Sequence, residues 1–433
     1  MSAEPIEARL AAAGLPPLPR PCWLEIDEQA LAHNLRAVRQ LVGPRVEVNA
    51  VVKADAYGHG IEATARVLAA SGADRLCVAS LDEAFLLRGA GIRAPIVVLF
   101  AVPPELVGLA VAAGVELVAA DERNTLEMLA RWAADEAHAS TLAIHLEVET
   151  GLGRAGVRPD RVVELARRIG ATRGVRLAGM WSHLATPDDQ TVAGAQVAAF
   201  EDAVRRLSDA GLPVPARHLA ASGGLLASTA PVYEGVRPGL MLYGLAPAGS
   251  SAGRKLAHTT ASLRPAMALK CRALRIEDVP RGQTVGYGGR WRAERRSRIA
   301  TLPIGYGDGW SRAYTPGAEA LVRGRRVPLV GTVAMDAVMA DVTDVPGAGP
   351  VDEFVLLGEQ GGERITADDL ARLRNTISWE VVTTMAQRLP RVYHSRAVLL
   401  GVRTLTGEVQ HRRPEAVRGV TTLSTMAKEG QAS

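Results

Sequence analysis

From about Val46 to Tyr243, short β-branched runs alternate with longer stretches of helical period, and this alternation constrains the chain more than any other feature. Parallel strands cannot be joined by tight turns, and a helix is the crossover that packs its own apolar stripe back onto the sheet. Strands are expected at Val46–Lys53, Arg75–Ala79, Pro95–Phe100, Val115–Ala119, Leu142–Glu149, Arg176–His183, Ala216–Ala221 and Gly235–Leu240. Between them, segments such as Ile61–Ala70, Leu81–Ala90, Thr125–Ala134, Pro159–Ile169 and Val192–Ala210 place apolar residues near a 3.6-residue period. Eight strands with helical crossovers predict an α/β fold, a closed (β/α)8 TIM-like barrel, with an open doubly wound sheet as the alternative.

Beyond Ala246 the pattern changes. A Gly/Ser-rich stretch, Ala248–Gly253, is followed by strand-like alternation at Ala266–Ile276, Arg298–Pro303, Ala320–Val322, Val327–Thr332 and Ala337–Val342, with no comparable helix before Asp368. The domains are therefore expected at 22–247 (barrel) and 248–405 (mainly β), after an N-terminal extension over 1–21. The strand at about 22–27 is placed in the barrel span, with the β domain as its alternative host. Residues 406–433 are polar and without periodicity, and are expected to form a disordered tail.

With 433 residues, 48% of them apolar and 22% charged, the chain has an ordinary globular composition. No apolar run approaches the roughly 20 residues of a membrane span, and the N-terminus lacks the basic-then-apolar order of a secretory signal, so no membrane partner and a cytoplasmic location are expected. Cys22, Cys77 and Cys271 show no paired spacing and read as packing residues. Fifty Lys and Arg against 46 Asp and Glu leave too small a surplus for nucleic acid. The one basic cluster, Arg290, Arg292, Arg295, Arg296 and Arg298 around Trp291, is interrupted by Glu294 and reads as a solvated loop.

In a parallel barrel the active site lies at the carboxyl ends of the strands. Those ends carry Lys53, Arg154, His183, Ser222 and Arg237. Each alone could be a satisfied structural residue; five on one rim point to chemistry. Lys53 is the most informative, because only Lys53, Lys255, Lys270 and Lys428 exist and the barrel holds no lysine but the first. At a desolvated barrel mouth its ammonium pKa falls, and a neutral amine can condense with an aldehyde as a Schiff base. An ion pair with Asp55 is the plainer reading of the same residue.

The motif AVVKADAYGHG (Ala50–Gly60) is similar to the cofactor-lysine motif of the alanine racemase family, enzymes that use pyridoxal 5'-phosphate. The resemblance runs from Trp23 to about Val402 and includes HLEVETGLGRAGV (His145–Val157), WSHLATPD (Trp181–Asp188), VRPGLMLYG (Val236–Gly244), VGYGGRW (Val285–Trp291), LPIGYGDGW (Leu302–Trp310) and AMDAVMADVTD (Ala334–Asp344). It implies interconversion of L- and D-alanine by a homodimer with shared active sites. Lys53 would carry the cofactor and Tyr57 would stand near its phosphate, which Ser222 and the backbone of Gly239 and Leu240 would hold. Arg237 would face the pyridine nitrogen and keep it unprotonated, since a guanidinium cannot accept a proton. Racemisation needs a base on each face of a planar carbanion. Lys53 would be one and Tyr287 of the partner subunit the other, with His183 and Arg154 near enough to favour the phenolate. Arg154 would also meet the substrate carboxylate, in a pocket lined by Met335, Asp336 and Tyr306.

Four positions depart from the family pattern. Glu147 stands where a carbamylated lysine is frequent and could supply its own carboxylate to Arg154. Trp379 replaces a tyrosine that reaches the phosphate and narrows access to the site, Ala334 replaces a cysteine beside Met335, and Ala221 replaces an asparagine before Ser222. A reshaped pocket leaves serine or a longer amino acid as the alternative substrate. Two rival functions remain at this stage. His145, Glu147 and Glu149 alternate on one strand with His183 ending the next, as a metal-dependent hydrolase could use them. A non-catalytic cofactor-binding barrel is the other, although it has no need of Tyr287 and Met335.

Overall fold

After a first strand, β1 (Cys22–Asp27), eight parallel strands follow in chain order: β2 (Glu47–Val51), β3 (Arg75–Val78), β4 (Ile96–Val98), β5 (Val115–Ala119), β6 (Leu142–Glu147), β7 (Val175–Trp181), β8 (Ala216–Ala221) and β9 (Gly235–Arg237). Each pairs with the next, and β9 returns to β2 through Glu47↔Gly235 and Val48↔Val236, closing the barrel and excluding the open sheet. The computed structural model describes residues 4–134, 140–246, 259–396 and 398–410. Among them, residues 32–56 and 61–263 form one compact unit around this barrel, and residues 4–31, 57–60 and 264–410 form another.

Several barrel strands end earlier than the sequence suggests. β9 spans three residues because Pro238 has no N–H for the ladder; the chain turns at Gly239 into a 3-10 segment, Leu240–Tyr243. Lys53 and His183 likewise lie just past β2 and β7, in the rim loops. No helix among the described residues is long and apolar enough to cross a membrane.

The second unit contains β10 (Met267–Arg272), β11 (Arg275–Val279), β12 (Thr284–Val285), β13 (Trp291–Arg292), β14 (Ser297–Leu302), β15 (Glu319–Val322), β16 (Arg325–Val330), β17 (Val338–Asp341), β18 (Glu353–Gln360), β19 (Glu363–Ile365), β20 (Arg391–Ser395), β21 (Val398–Thr404) and β22 (Gly407–Gln410). Twelve strands make one sheet, in the order β11-β14-β17-β16-β15-β18-β10-β1-β20-β21-β22 with β19 on β18, while β12 and β13 form a separate hairpin. β1 sits between β10 and β20, so the strand at 22–27 belongs to this sheet and not to the barrel span. Cys22 stands opposite Cys271 across β1 and β10, and both thiols are free and buried.

Residues 407–410, assigned above to a disordered tail, form β22. The chain reverses over Thr404–Gly407, with Gly407 at φ 133°, and lays a strand antiparallel on β21. The remainder of that tail, 411–433, and the Gly/Ser-rich stretch lie outside the described residues. Within the N-terminal extension, Ile6–Ala12 is a helix whose Ile6 and Leu10 pack with Leu15, Trp23, Val392, Leu399 and Val402 in one apolar cluster. Ion pairs Arg9–Glu25 at 3.0 Å and Arg272–Glu7 at 2.8 Å flank it. Burial of these aliphatic side chains is what pins so short a helix.

Candidate active site

Lys53 opens a turn that ordinary residues avoid. Ala54, Asp55, Ala56 and Tyr57 all lie in the left-handed region, at φ 53–54°, which costs roughly 1–2 kcal/mol per residue for L-amino acids. Hydrogen bonds hold the turn in the barrel unit. The Glu83 carboxylate accepts from Ala54 N at 2.6 Å and Ala79 N at 2.8 Å. Ala56 N donates to Val52 O at 2.9 Å, and Asp55 Oδ1 accepts from Ile61 N at 2.9 Å, at the start of helix Ile61–Ala70. Asp55 therefore serves the backbone, whereas the Lys53 ammonium lies 5.8 Å from the centroid of Phe100. Burial pushes that ammonium below its ordinary pKa; the neighbouring Arg154 and Arg237 add to the shift and Glu83 opposes it.

Arg154, on the loop after β6, lies 5.4 Å from the same Phe100 ring and pairs with Glu147 at 3.6 Å. Glu147 ends β6 and is buried. Burial pushes its carboxyl up to about 7 although Arg154 and Arg237 favour the anion. The contact is an ion pair rather than a tight hydrogen bond.

Arg237, which ends β9, is buried and stacks 4.5 Å over Trp181. It donates to the carbonyls of Ser182 at 2.6 Å and Leu219 at 3.2 Å, to His218 O, and to His218 Nδ1 at 2.7 Å. A guanidinium only donates, so His218 accepts at Nδ1 and carries its proton on Nε2. That proton points to His145 Nδ1 at 3.1 Å, and His145 Nε2 in turn reaches Glu116 Oε2 at 2.9 Å. Burial and then Arg237 hold His218 well below the usual histidine range. A one-way chain therefore runs from the rim to Glu116. Burial lowers the Arg237 guanidinium to about 10, still charged at neutral pH.

His183 lies 3.4 Å from Arg237 Nη2 through Nδ1. Burial, then Arg237, Arg154 and Lys53, push it down to about 3. A neutral imidazole cannot lend the cationic help to a phenolate that the sequence reading divided between His183 and Arg154. Ser222, the first residue after β8, accepts from Gly239 N at 3.0 Å and Met241 N at 3.3 Å, bringing the Ser222 and Gly239–Leu240 loops together. Lys53, Arg154, His183, Ser222 and Arg237 thus share the barrel mouth, where three basic groups meet the one carboxyl of Glu147. That mouth can bind an anion and offer a nucleophilic amine.

The other expected site residues lie in the sheet unit. Tyr287, in the turn between β12 and β13, is 71% exposed, and its carbonyl accepts from Thr332 Oγ1 at 2.9 Å. Tyr306 and Met335 are also exposed, on two loops zipped together by Tyr306 N to Ala334 O at 3.1 Å and Gly307 N to Met335 O at 2.9 Å. A Cβ at Gly305 would stand 2.1 Å from Ala334 O, so only glycine permits this approach. Asp336 pairs with Arg388 at 2.7 Å. Trp379 is half-buried on helix Ser378–Thr383. Tyr57 leads the 57–60 arm, where Gly58 O accepts from Arg391 Nε at 2.9 Å and a Cβ at Gly58 would meet Val382 O at 2.1 Å.

Sequence reasoning missed Phe100, Glu83 and the Glu116–His145–His218 chain. Phe100 alone gave a signal, an aromatic closing a barrel strand. The alternating His145, Glu147 and Glu149 do not converge: they turn to Glu116 and His218, to Arg154, and to the N–H groups of Gly151 and Gly153 respectively. The basic cluster near Trp291 is spent largely on ion pairs and carbonyls, including Arg296–Asp278 at 2.7 Å and Arg298 to Ala348 O at 2.7 Å.

Residues 26–247 match the family model of the alanine racemase N-terminal domain, and residues 266–393 that of the alanine racemase C-terminal domain. The chain is 38% identical over 387 residues to alanine racemase 2 of Caldanaerobacter subterraneus subsp. tengcongensis, covering 89% of this chain and 97% of that protein. It is 36% identical over 379 residues to the alanine racemase of Halothermothrix orenii, covering 87% and 98%. Among solved structures, that of the Bacillus anthracis alanine racemase with bound L-Ala-P superposes with a TM-score of 0.82 at 31% identity, covering 90% of this chain and 99% of that one. The alanine racemase from D-cycloserine-producing Streptomyces lavendulae gives 0.79 at 32%, covering 88% and 98%. Both domains and nearly the full length of these relatives are matched: the chain belongs to the alanine racemase family and is an isomerase.

Proposed function

We propose that this enzyme interconverts L-alanine and D-alanine with pyridoxal 5'-phosphate, as a homodimer in which each active site joins the barrel mouth of one subunit to Tyr287 of the partner subunit. The observation that carries the reading is Lys53, a half-buried amine of lowered basicity among cations, in a family whose relatives bear the alanine racemase name.

The residues present fit the cofactor. Lys53 offers the amine for its covalent attachment, and the excess of basic groups (Lys53, Arg154 and Arg237) over the single carboxyl of Glu147 suits a phosphate-bearing anion. In this reading Ser222 and the backbone at Gly239 and Leu240 hold the phosphate, with Tyr57 and Trp379 beside it. Arg237 would face the ring nitrogen and, as a group that only donates, would keep it without a proton. When bound, the cofactor supplies the electron withdrawal that acidifies the substrate α-carbon.

Arg154 orients the substrate carboxylate, and Met335, Asp336 and Tyr306 of the partner subunit close that pocket. Lys53, whose depressed pKa leaves a larger share as free amine, removes a proton from one face. Tyr287 of the partner subunit returns one to the other face, and the roles exchange in the reverse reaction. His183, whose pKa burial and the neighbouring cations lower to about 3, would act there by hydrogen bonding. The supply of D-alanine inside the cytoplasm is the role this chemistry suits. The substitutions at Trp379 and Ala334 make the amino-acid side chain the feature to test.

The test is α-proton exchange in deuterated water with added cofactor and a panel of L-amino acids. Exchange and racemisation of alanine above all others is the expected result. Preference for serine or a longer amino acid would make Trp379 and Ala334 specificity determinants. Cofactor absorbance without exchange of any amino acid would overturn the reading in favour of a binding module.

A further inference from the structure

Asp308 is a fully buried carboxylate that serves three loops at once. Its oxygens accept from Arg20 Nη1 at 2.5 Å and Arg20 Nη2 at 3.2 Å, from Arg388 Nε at 2.7 Å, and from Gly305 N at 3.0 Å. Arg20 Nη2 also reaches Pro303 O at 2.6 Å. Arg388 continues outward, donating to Asp336 Oδ1 at 2.7 Å and Met335 O at 3.4 Å. The loops that carry Tyr306, and Met335 with Asp336, are therefore suspended from one carboxylate clamped between two guanidiniums. One of those guanidiniums comes from the N-terminal segment, outside both stretches that match the family models.

We infer that Arg20 is a positioning residue for the substrate carboxylate pocket, acting through Asp308 on the paired Tyr306 and Met335 loops. The inference rests on the proposed role of those loops. A bidentate fork fixes the plane of a carboxylate in a way a point charge cannot. That plane aims Asp308 Oδ2 at Gly305 N, immediately before Tyr306. Without Arg20 the carboxylate keeps Arg388 and the Gly305 N–H, but the loops lose the constraint on their register. Contacts to a carboxylate that is charged throughout the reaction act on ground and transition states alike, so their loss appears in KM.

The experiment is steady-state racemisation of alanine by the cofactor-loaded enzyme carrying Arg20→Met. The expected result is a KM raised about tenfold with kcat within about threefold, unchanged cofactor absorbance, and partial recovery of KM on adding guanidinium ion at low millimolar concentration. Arg20→Lys, which keeps the charge and loses the fork, should fall between, and it carries the same KM-against-kcat comparison if Arg20→Met does not fold. A wild-type KM in these variants overturns the inference. So does a loss confined to kcat, or one that tracks cofactor loss or a fall in melting temperature without guanidinium recovery. A wild-type enzyme that racemises no amino acid overturns the functional reading, and this inference with it; racemisation by the wild type with an unaffected Arg20→Met overturns this inference alone.

Discussion

Glu147 sits where ionisation costs most, at the end of β6, among cations yet buried enough that its carboxyl is pushed up to about 7. An acid whose pKa rises on folding binds more protons in the native state than in the unfolded state across the interval between its ordinary value and 7. Its contribution to stability is therefore full below the usual carboxylate range and is lost as pH climbs to about 7. Wild-type stability should fall between pH 5 and pH 8 relative to Glu147→Gln (roughly, by linkage), as read by thermal denaturation across that range. If the Glu147 anion holds Arg154, kcat/KM should also decline below about 7, and Glu147→Gln should be slower and lack that decline. Parallel pH profiles with equal rates would end this role. The rim residues were legible in the sequence because a strand-end position in a parallel barrel has one destination, so Lys53, Arg154, His183, Ser222 and Arg237 could be gathered without coordinates. The charge of His183 was not legible, since it depends on how deeply burial and Arg237 act on one ring. Glu83 was equally hidden: its partners, Ala54 and Ala79, meet it through helix Leu81–Gly89 rather than through any repeating pattern.

The turn from Lys53 to Tyr57 shows the same limit in an element. Its residues are ordinary in composition, and nothing in KADAY signals four successive left-handed conformations. Glu83, Asp55 and the Val52 carbonyl impose them from the barrel side. Strain at a site is kept when it fixes a reacting group, which in the proposed function is the Lys53 amine. Ala54 is exposed, so Ala54→Gly removes no packing. Relief of the left-handed penalty, less the greater freedom of glycine in the unfolded chain, should raise stability by about 0.5–1 kcal/mol. Freedom at the turn should at the same time lower kcat. Urea unfolding and steady-state rates measure both, and a stability loss in Ala54→Gly would mean that the backbone there is not strained. The barrel strands and helices were legible because burial on both faces or one stripe writes a period into the sequence, as Val115–Ala119 and Ile61–Ala70 do. β1 and β22 were not, since a strand's sheet is decided by partners far along the chain, Cys271 and Tyr393 for β1 and Gly401 for β22.

For the whole molecule, the change of pattern near Ala246 precedes the division between the two compact units, which falls between Leu263 and Arg264, and no periodicity can show whether an exposed group meets a second copy. Tyr287 is 71% exposed, Met335 53% and Ile377 52%. If Tyr287 serves the partner's Lys53, the two groups can be destroyed in different chains and recovered by mixing them. Homodimers of Lys53→Ala lack the amine at both sites, and homodimers of Tyr287→Phe lack the phenol at both, so each should be nearly inactive. In a mixed dimer one site carries both lesions. The other pairs an intact Lys53 with an intact Tyr287. Equal mixing with random exchange makes about half of the dimers mixed, each with one working site, so activity should return to about one quarter of the wild-type level. Sites confined within a subunit would leave every site damaged and the mixture as inactive as its parents. The recovered rate should also fall on dilution through the dimer dissociation range, a dependence that contamination by wild-type enzyme would share, so mass spectrometry of the exchanged dimers must show the mixed species rising in step with activity.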